Sequence, residues 1–109
     1  NNKNFNFNIF DKKIKNGCWA TVLNIKNISS LKIKKIFKKL NFAGFFPRPF
    51  FYPISSLPAF KNENIRSRVK YVSKKNSLYL LKTSLVLPSA YILKKNQIKK
   101  ICEIINNEI

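Results

Sequence analysis

One segment of the sequence, residues 45–60, constrains the fold of this chain more than any other. Its sixteen residues include four prolines and six phenylalanine or tyrosine rings. Proline has no backbone N–H to give to a sheet ladder, so a proline-rich segment joins a sheet only at its edge. We therefore expect Pro47, Pro49, Pro53 and Pro58 to impose an edge strand followed by a stiff, extended loop. Such a loop holds its aromatic rings in fixed positions.

A strand is predicted before this segment, at residues 18–25, where β-branched and aromatic residues are concentrated. Successive side chains of a strand point to opposite faces of the sheet. One face would carry Trp19, Thr21, Leu23 and Ile25, and the other Cys18, Ala20, Val22 and Asn24. Because both faces include apolar side chains, we expect this strand to lie in the interior of its sheet.

An amphipathic helix is predicted between that strand and the proline-rich segment. Apolar residues recur there at the spacing of one helix face, at Ile33, Ile36, Phe37 and Leu40. The candidate N-cap residues are Asn27, Ser29 and Ser30. Gly44 follows where a residue with positive φ commonly closes a helix.

The second half of the chain is less regular. Residues 61–77 are polar and basic, and only Ile65, Val69 and Val72 suggest a helical face. Two short apolar runs, Leu78–Leu81 and Leu85–Leu87, could form buried strands. A final amphipathic helix is predicted from an apolar stripe at Ile98, Ile101, Cys102, Ile105 and Ile109.

The net charge of +18 is the most conspicuous feature of the composition. Clustered basic residues favour nucleic acid or anionic surfaces as partners. Here, however, 19 of the 22 basic residues are lysines, and they occur in scattered pairs, whereas specific phosphate and base recognition favours arginine. Asparagine and isoleucine are also abundant, as AT-rich codons would produce. We therefore expect no specific nucleic-acid partner and interpret the charge as a general surface composition.

Several chemistries are excluded by what the sequence lacks. It contains no histidine, which excludes histidine acid–base catalysis and a Cys–His nucleophile pair. Its two cysteines, Cys18 and Cys102, do not have the spacing of a zinc site. No apolar stretch is long enough to cross a bilayer and residues 1–10 lack a secretory signal pattern. We therefore expect no membrane partner and a cytoplasmic location.

Three segments resemble one protein family, in the order in which the family carries them. Gly44 to Pro58 is similar to a loop in which a glycine and an apolar residue precede Arg-Pro-Phe-Phe and a further proline. Ser84 to Ser89 and the final helix are similar to a Leu-Pro-Ser stretch and the helix after it, and Gly17 to Val22 is similar to an opening strand. Over roughly residues 16–106 the chain thus resembles the C-terminal small domain of the DegT/DnrJ/StrS sugar aminotransferases, most closely the GDP-perosamine synthase type.

The resemblance implies a fold class and a parent enzyme. The expected fold is α+β, the small C-terminal domain of a fold type I transferase dependent on pyridoxal phosphate, with a short antiparallel sheet packed against amphipathic helices. Residues 1–16 would be an irregular lead-in, and residues 17–109 the small domain of an incomplete protein. Family members act as dimers and transfer an amino group, usually from glutamate, to a nucleotide-linked keto-sugar; the perosamine type serves polysaccharide biosynthesis.

The same resemblance implies that catalysis belongs to another domain. The lysine that forms the Schiff base with pyridoxal phosphate, and the acidic residue that faces the pyridine nitrogen, lie in the family's large domain, which would precede Asn1. We therefore expect no catalytic, cofactor-binding or metal-binding residue in this chain, and no activity from the chain alone.

The candidate substrate-binding residues are Arg48, Phe51, Tyr52, Ser55 and Ser56. An arginine between two prolines is preorganised to bind a carboxylate or phosphate through two parallel hydrogen bonds, although an ion pair with the large domain is equally compatible. The rings could line a sugar or base pocket or belong to a domain interface. The serines could bind sugar hydroxyls or simply stabilise a turn.

Two other functions remain open at this stage. The chain could be an independent basic module that binds RNA or another anionic surface through its lysines and the rings of residues 45–52. It could also be a regulatory subunit that docks onto a complete aminotransferase.

Overall fold

The computed structural model of the chain describes residues 4–8, 12–13, 15, 17, 19–60, 75–90 and 92–109. In these residues it has a four-stranded antiparallel sheet and three α-helices. The strands are β1 (Phe5–Asn6), β2 (Thr21–Ile25), β3 (Arg48–Pro49) and β4 (Ser84–Leu87), and the helices are α1 (Ser30–Phe42), α2 (Lys75–Thr83) and α3 (Lys95–Asn106). The order of strands is β1-β2-β4-β3. This is a small α+β fold, as expected from the sequence.

The sheet order confirms two of the sequence predictions. β2 lies between β1 and β4, so it is an interior strand, with Leu23 opposite Leu85 and Val22 opposite Val86. β3 lies at the edge of the sheet, as its prolines require. β1 forms the opposite edge, with Phe5 paired with Ile25, so part of the expected lead-in belongs to the sheet.

The core of the described residues lies between one face of the sheet and helices α1 and α3. Leu23, Ile25 and Leu85 lie on that face, because partners opposite one another in a ladder point to the same side. The helices contribute Ile36 and Leu40 from α1 and Ile101 and Ile105 from α3, and Phe45 completes the buried cluster. At about 25 cal/mol per Å², burial of such side chains supplies most of the driving force for folding.

Helix α1 begins and ends where its sequence predicts. Ser29 is the N-cap, and its hydroxyl accepts a hydrogen bond of 3.3 Å from the N–H of Lys32. At the other end Gly44 has φ of +80°, and the N–H of Phe45 donates to the carbonyl of Leu40 while that of Gly44 donates to Asn41. These two bonds form a Schellman motif, which satisfies carbonyls that the helix end would otherwise leave free.

The prediction of a buried strand at Leu78–Leu81 is wrong, because these residues form the middle of α2. Leu78 and Tyr79 are exposed, whereas Leu80 and Leu81 are half-buried, so the run has one covered face rather than two. A run of four residues is too short to distinguish a helical period from that of a strand. The second run was predicted correctly, since Leu85–Leu87 lies in β4.

The final helix is present at the predicted position, but only part of its apolar stripe is buried. Ile101 and Ile105 enter the core, whereas Ile98 is 49% exposed and Cys102 is a free, exposed thiol. Lys94 occupies the N-cap, and its backbone N–H donates a 2.8 Å hydrogen bond to the side-chain carbonyl of Gln97. The predicted helical face at Ile65, Val69 and Val72, and residue Cys18, lie outside the described residues.

Candidate ligand-binding surface

The candidate residues lie on the edge strand β3 and on the loop that leaves it. Arg48 is paired with Val86 and Pro49 with Leu85, which ties the start of the loop to an interior strand. Pro47 and Pro53 are buried on either side of the pair. A proline fixes its own φ, so a loop held at two buried prolines has little freedom left to lose when it binds a ligand.

The Arg48 side chain is exposed, and no described carboxylate lies within salt-bridge distance of its guanidinium. Val22 and Val86 are its neighbours on the same side of the sheet, because the three residues form one cross-strand row. An arginine in this position can offer its planar set of donors to a ligand outside the sheet edge.

Two of the predicted rings follow Arg48 by three and four residues, and both are exposed. Phe51 is 56% exposed and Tyr52 is 63% exposed. Phe51 contacts Phe50 with the ring centroids 5.6 Å apart in an edge-on arrangement. Isolated exposed rings are common on protein surfaces, but contiguous exposed rings usually mark a binding or interaction surface.

Ser55 and Ser56 lie in a 3₁₀ turn that spans Ile54–Ser56. The Ser56 hydroxyl donates a 2.6 Å hydrogen bond to the carbonyl of Pro53, and the backbone N–H of Ser56 donates to the same oxygen. Ser55 is half-buried. The geometry therefore gives Ser56 the turn-forming role that serines beside proline usually have.

Trp19 is the member of this surface that sequence reasoning missed. It was placed on one face of an interior strand, but pairing of β2 begins two residues later, at Thr21, and the indole is 75% exposed. Its ring centroid lies 6.1 Å from that of Phe51, with the planes inclined by 42°. We call Trp19, Phe50 and Phe51 the aromatic cluster. No local sequence signal marks this contact, because Trp19 and Phe51 are far apart in the chain.

The backbone of Trp19 is held in place from the neighbouring strand. The hydroxyl of Ser89, two residues beyond the end of β4, donates a 3.1 Å hydrogen bond to the Trp19 carbonyl. Asn8 supports the next residues, because its amide donates to the carbonyl of Ala20 and its side-chain oxygen accepts from the N–H of Val22. The exposed indole thus projects from a fixed backbone rather than from a free loop.

The described residues also form an apolar groove of about 610 Å³ between α3, strands β1 and β2, and the segment that follows β4. Phe7, Leu93, Ile98 and Cys102 are among the side chains that line it. Neither the candidate residues nor the rings of the aromatic cluster line it, although Ser89, which bonds the Trp19 carbonyl, does.

Each of the described lysines is exposed, and none lines the groove. Lys35 and Lys39 instead bind Glu108, whose side chain is only 5% exposed; the Lys35 contact is 3.1 Å long. Hydrogen bonds from Lys39 and Lys35 lower the pKa of Glu108 below its ordinary value. These charges stabilise the packing of α1 against the chain after α3.

No helix in the described part of the chain is long and apolar enough to cross a membrane.

Comparisons with known proteins identify a similar fold but do not assign the chain to a family. No family model matches the sequence, and no curated protein matches it. Among solved structures, the chain is similar to a protein from Streptococcus pneumoniae designated a sugar aminotransferase, in its PMP form, with a TM-score of 0.64 and 17% sequence identity. The similarity covers 82% of this chain but only 21% of that one, so the chain spans about a fifth of its structural neighbour. The chain therefore has the fold of one part of that larger protein.

Proposed function

We propose that this chain is the C-terminal small-domain part of a nucleotide-sugar aminotransferase that depends on pyridoxal phosphate. The observation that carries the proposal is the structural similarity to a sugar aminotransferase over 82% of the chain. It is supported by the segment from Gly44 to Pro58, whose residues resemble those of the DegT/DnrJ/StrS enzymes and which includes the edge strand β3.

In this proposal the chain supplies one wall of the substrate site and contacts between subunits of a homodimer. The exposed guanidinium of Arg48 binds an anionic group of the substrate, and the exposed rings of Phe51 and Tyr52 cover its sugar. Ser55 and Ser56 shape the turn that follows. The substrate class is a nucleotide-linked keto-sugar, the perosamine type is the nearest branch, and glutamate is the amino donor.

Pyridoxal phosphate, held by a preceding large domain, would supply the electron sink for amino transfer. The present chain contributes no group to that chemistry in this proposal. Its residues bind and orient the substrate and exclude water from one side of the site, which is how a closing domain raises the rate of a reaction on a bound cofactor. The chain alone is accordingly expected to be inactive.

The coding sequence before Asn1 offers the first test. We expect it to encode, in the same frame, a domain with a cofactor lysine, and we expect the joined protein to bind pyridoxal phosphate with a visible absorbance that borohydride reduction abolishes while leaving the cofactor covalently attached to the protein. A joined protein with Arg48→Ala should keep that absorbance but require more nucleotide sugar for half-maximal rate. An unrelated domain before Asn1, or a joined protein that binds no cofactor, would contradict the proposal.

The exposed lysines favour one other function, a basic module for RNA or an anionic surface. Lys34 and Lys38 on α1 and Lys99 and Lys100 on α3 lie on the outer faces of two helices that pack together. A salt titration of binding to single-stranded RNA tests this function. Affinity that is independent of sequence and disappears at moderate salt would reflect net charge only and would reject a specific RNA site.

A further inference from the structure

The aromatic cluster has the geometry of a stacking surface rather than of a pocket. A ring held between two others makes two stacking contacts of about 3.5 Å each and so needs an opening of about 7 Å. The centroids of Trp19 and Phe51 are only 6.1 Å apart, and their planes are inclined rather than parallel. A planar ligand therefore cannot enter between them and must lie on the outer face of the indole.

The outer face of Trp19 is open to such a ligand. The indole is 75% exposed although it already contacts Phe51, so most of its surface faces solvent. Phe51 is itself supported from behind by Phe50, which is half-buried. The hydrogen bond from Ser89 to the Trp19 carbonyl fixes the backbone that carries the indole, and the contact with Phe51 supports one side of the ring.

A group that can bind an anion lies at the start of the same loop. Arg48 precedes Phe51 by three residues, so the Cα atoms of the two residues are separated by at most about 11 Å. The guanidinium is exposed and is paired with no described carboxylate. A flat aromatic ring joined to a phosphate chain is the ligand chemistry that matches a stacking surface with an arginine beyond it.

We propose that Trp19, braced by Phe51, stacks on the base of a nucleoside diphosphate whose phosphates bind Arg48. The proposal rests on the proposed function only for its biological context, since the nucleotide would be the carrier of the sugar. It assigns to Trp19 a role in recognising the base, which neither the fold similarity nor the family resemblance assigns to it.

Fluorescence provides a direct test, because Trp19 is the single tryptophan of the chain. The probes are GDP, UDP, guanosine and inorganic pyrophosphate, titrated into the full chain and corrected for absorption with free tryptophan. We expect saturable quenching by the diphosphates. Guanosine should quench more weakly because it lacks the phosphates, and pyrophosphate should compete with GDP only at much higher concentration. Equal affinity for GDP and pyrophosphate would overturn the proposal, because it would mean that the positive charge alone binds phosphate.

Variants of the aromatic residues test the stacking contact, with affinity for GDP measured by calorimetry. Trp19→Leu should weaken binding by about 5- to 150-fold, the range that loss of one base–aromatic stack produces. Phe51→Leu should weaken it less, because Phe51 braces the indole without contacting the base. Phe42→Leu is the matched control: Phe42 is 98% exposed on α1 and outside the cluster, so its loss should leave the affinity unchanged.

The circular dichroism spectrum of each variant establishes that it is folded. If folded Trp19→Leu binds GDP as tightly as the unchanged chain, the stacking role is wrong. That result would leave the proposed function intact, since amino transfer by the joined protein is measured separately. Conversely, a chain that binds GDP through Trp19 but whose joined protein binds no cofactor would retain the nucleotide site and lose the aminotransferase assignment.

Discussion

The side-chain amide of Asn24 donates a 2.8 Å hydrogen bond to the hydroxyl of Thr83, so that the interior strand β2 is joined to the end of helix α2. The same amide lies 3.0 Å from the hydroxyl of Ser84, and the Thr83 hydroxyl in turn donates 2.8 Å to the carbonyl of Tyr79. Asn24, Thr83 and Ser84 are all buried. This polar network fixes where α2 stops and β4 starts.

Replacement of Asn24 should therefore be costly. Asn24→Ala leaves two buried hydroxyls without their donor, and we expect a loss of about 1–3 kcal/mol in the free energy of unfolding. Asn76→Ala, at an exposed position of α2, should change the free energy by less than about 0.5 kcal/mol. Urea unfolding of the two variants measures the difference. Similar values for both would mean that the network does not hold the α2–β4 junction.

Leucines of α1 offer a matched pair for the core. Leu40 is fully buried, whereas Leu31 is 75% exposed on the same helix. Leu40→Ala should destabilise the fold by about 2–5 kcal/mol because it opens a cavity between the helix and the sheet. Leu31→Ala has the same change in helix propensity without the cavity, so it should have little effect on the unfolding midpoint. A large effect at Leu31 would contradict its exposed position.

Gly44 is expected to be needed for its backbone conformation alone. Its φ is +80°, and a Cβ built there would meet no atom within 4 Å, so Gly44→Ala should cost about 1–2 kcal/mol through strain and not through a clash. Gly17→Ala is the control, because a Cβ at Gly17 also meets nothing and no positive φ is involved. The two melting temperatures should differ, with only Gly44→Ala lowered. Gly44→Asn should fall between them, since asparagine tolerates this conformation better than alanine.

Glu108 should make stability depend on pH at the acid end. Its pKa is lowered in the folded chain by Lys39 and Lys35, so its contribution is fully present above the ordinary value of 4.5 and is lost as the pH falls through the lowered pKa. Glu108→Gln should remove this part of the acid dependence, whereas Glu103→Gln, at an exposed position, should retain it. Thermal unfolding between neutral pH and pH 3 compares the three proteins. An unchanged acid profile in Glu108→Gln would show that the two ion pairs do not contribute.

The sequence predicted those parts of the fold that depend on local signals. The N-cap at Ser29, the closing glycine at position 44 and the edge position of the proline-rich strand each follow from the preferences of one or a few residues. The helix at Leu78–Leu81 could not be predicted in this way. Its end is fixed by a bond from Asn24, which is 59 residues away from Thr83 in sequence.

In the candidate surface, too, the residues with a local sequence signal were predictable and those that depend on distant contacts were not. Arg48, Phe51 and Tyr52 could be recognised because they stand together in one distinctive loop. Trp19 could not be recognised in this way, because its contact with Phe51 depends on the pairing of β2, β4 and β3 in the sheet. The exposed position of Cys102 was missed for a related reason. Its helix buries Ile101 and Ile105 in the core and leaves Cys102 exposed.

The central claim, that this chain is the small domain of a nucleotide-sugar aminotransferase, is tested most directly by amino transfer. The measurement uses the protein in which the residues before Asn1 are joined to this chain, ¹⁵N-labelled glutamate, and a GDP-linked keto-sugar. We predict that the label appears in an amino sugar, that pyridoxal phosphate is required, and that the 109-residue chain alone transfers none. A joined protein that binds the cofactor and the nucleotide yet moves no label to any nucleotide-linked keto-sugar would contradict the claim.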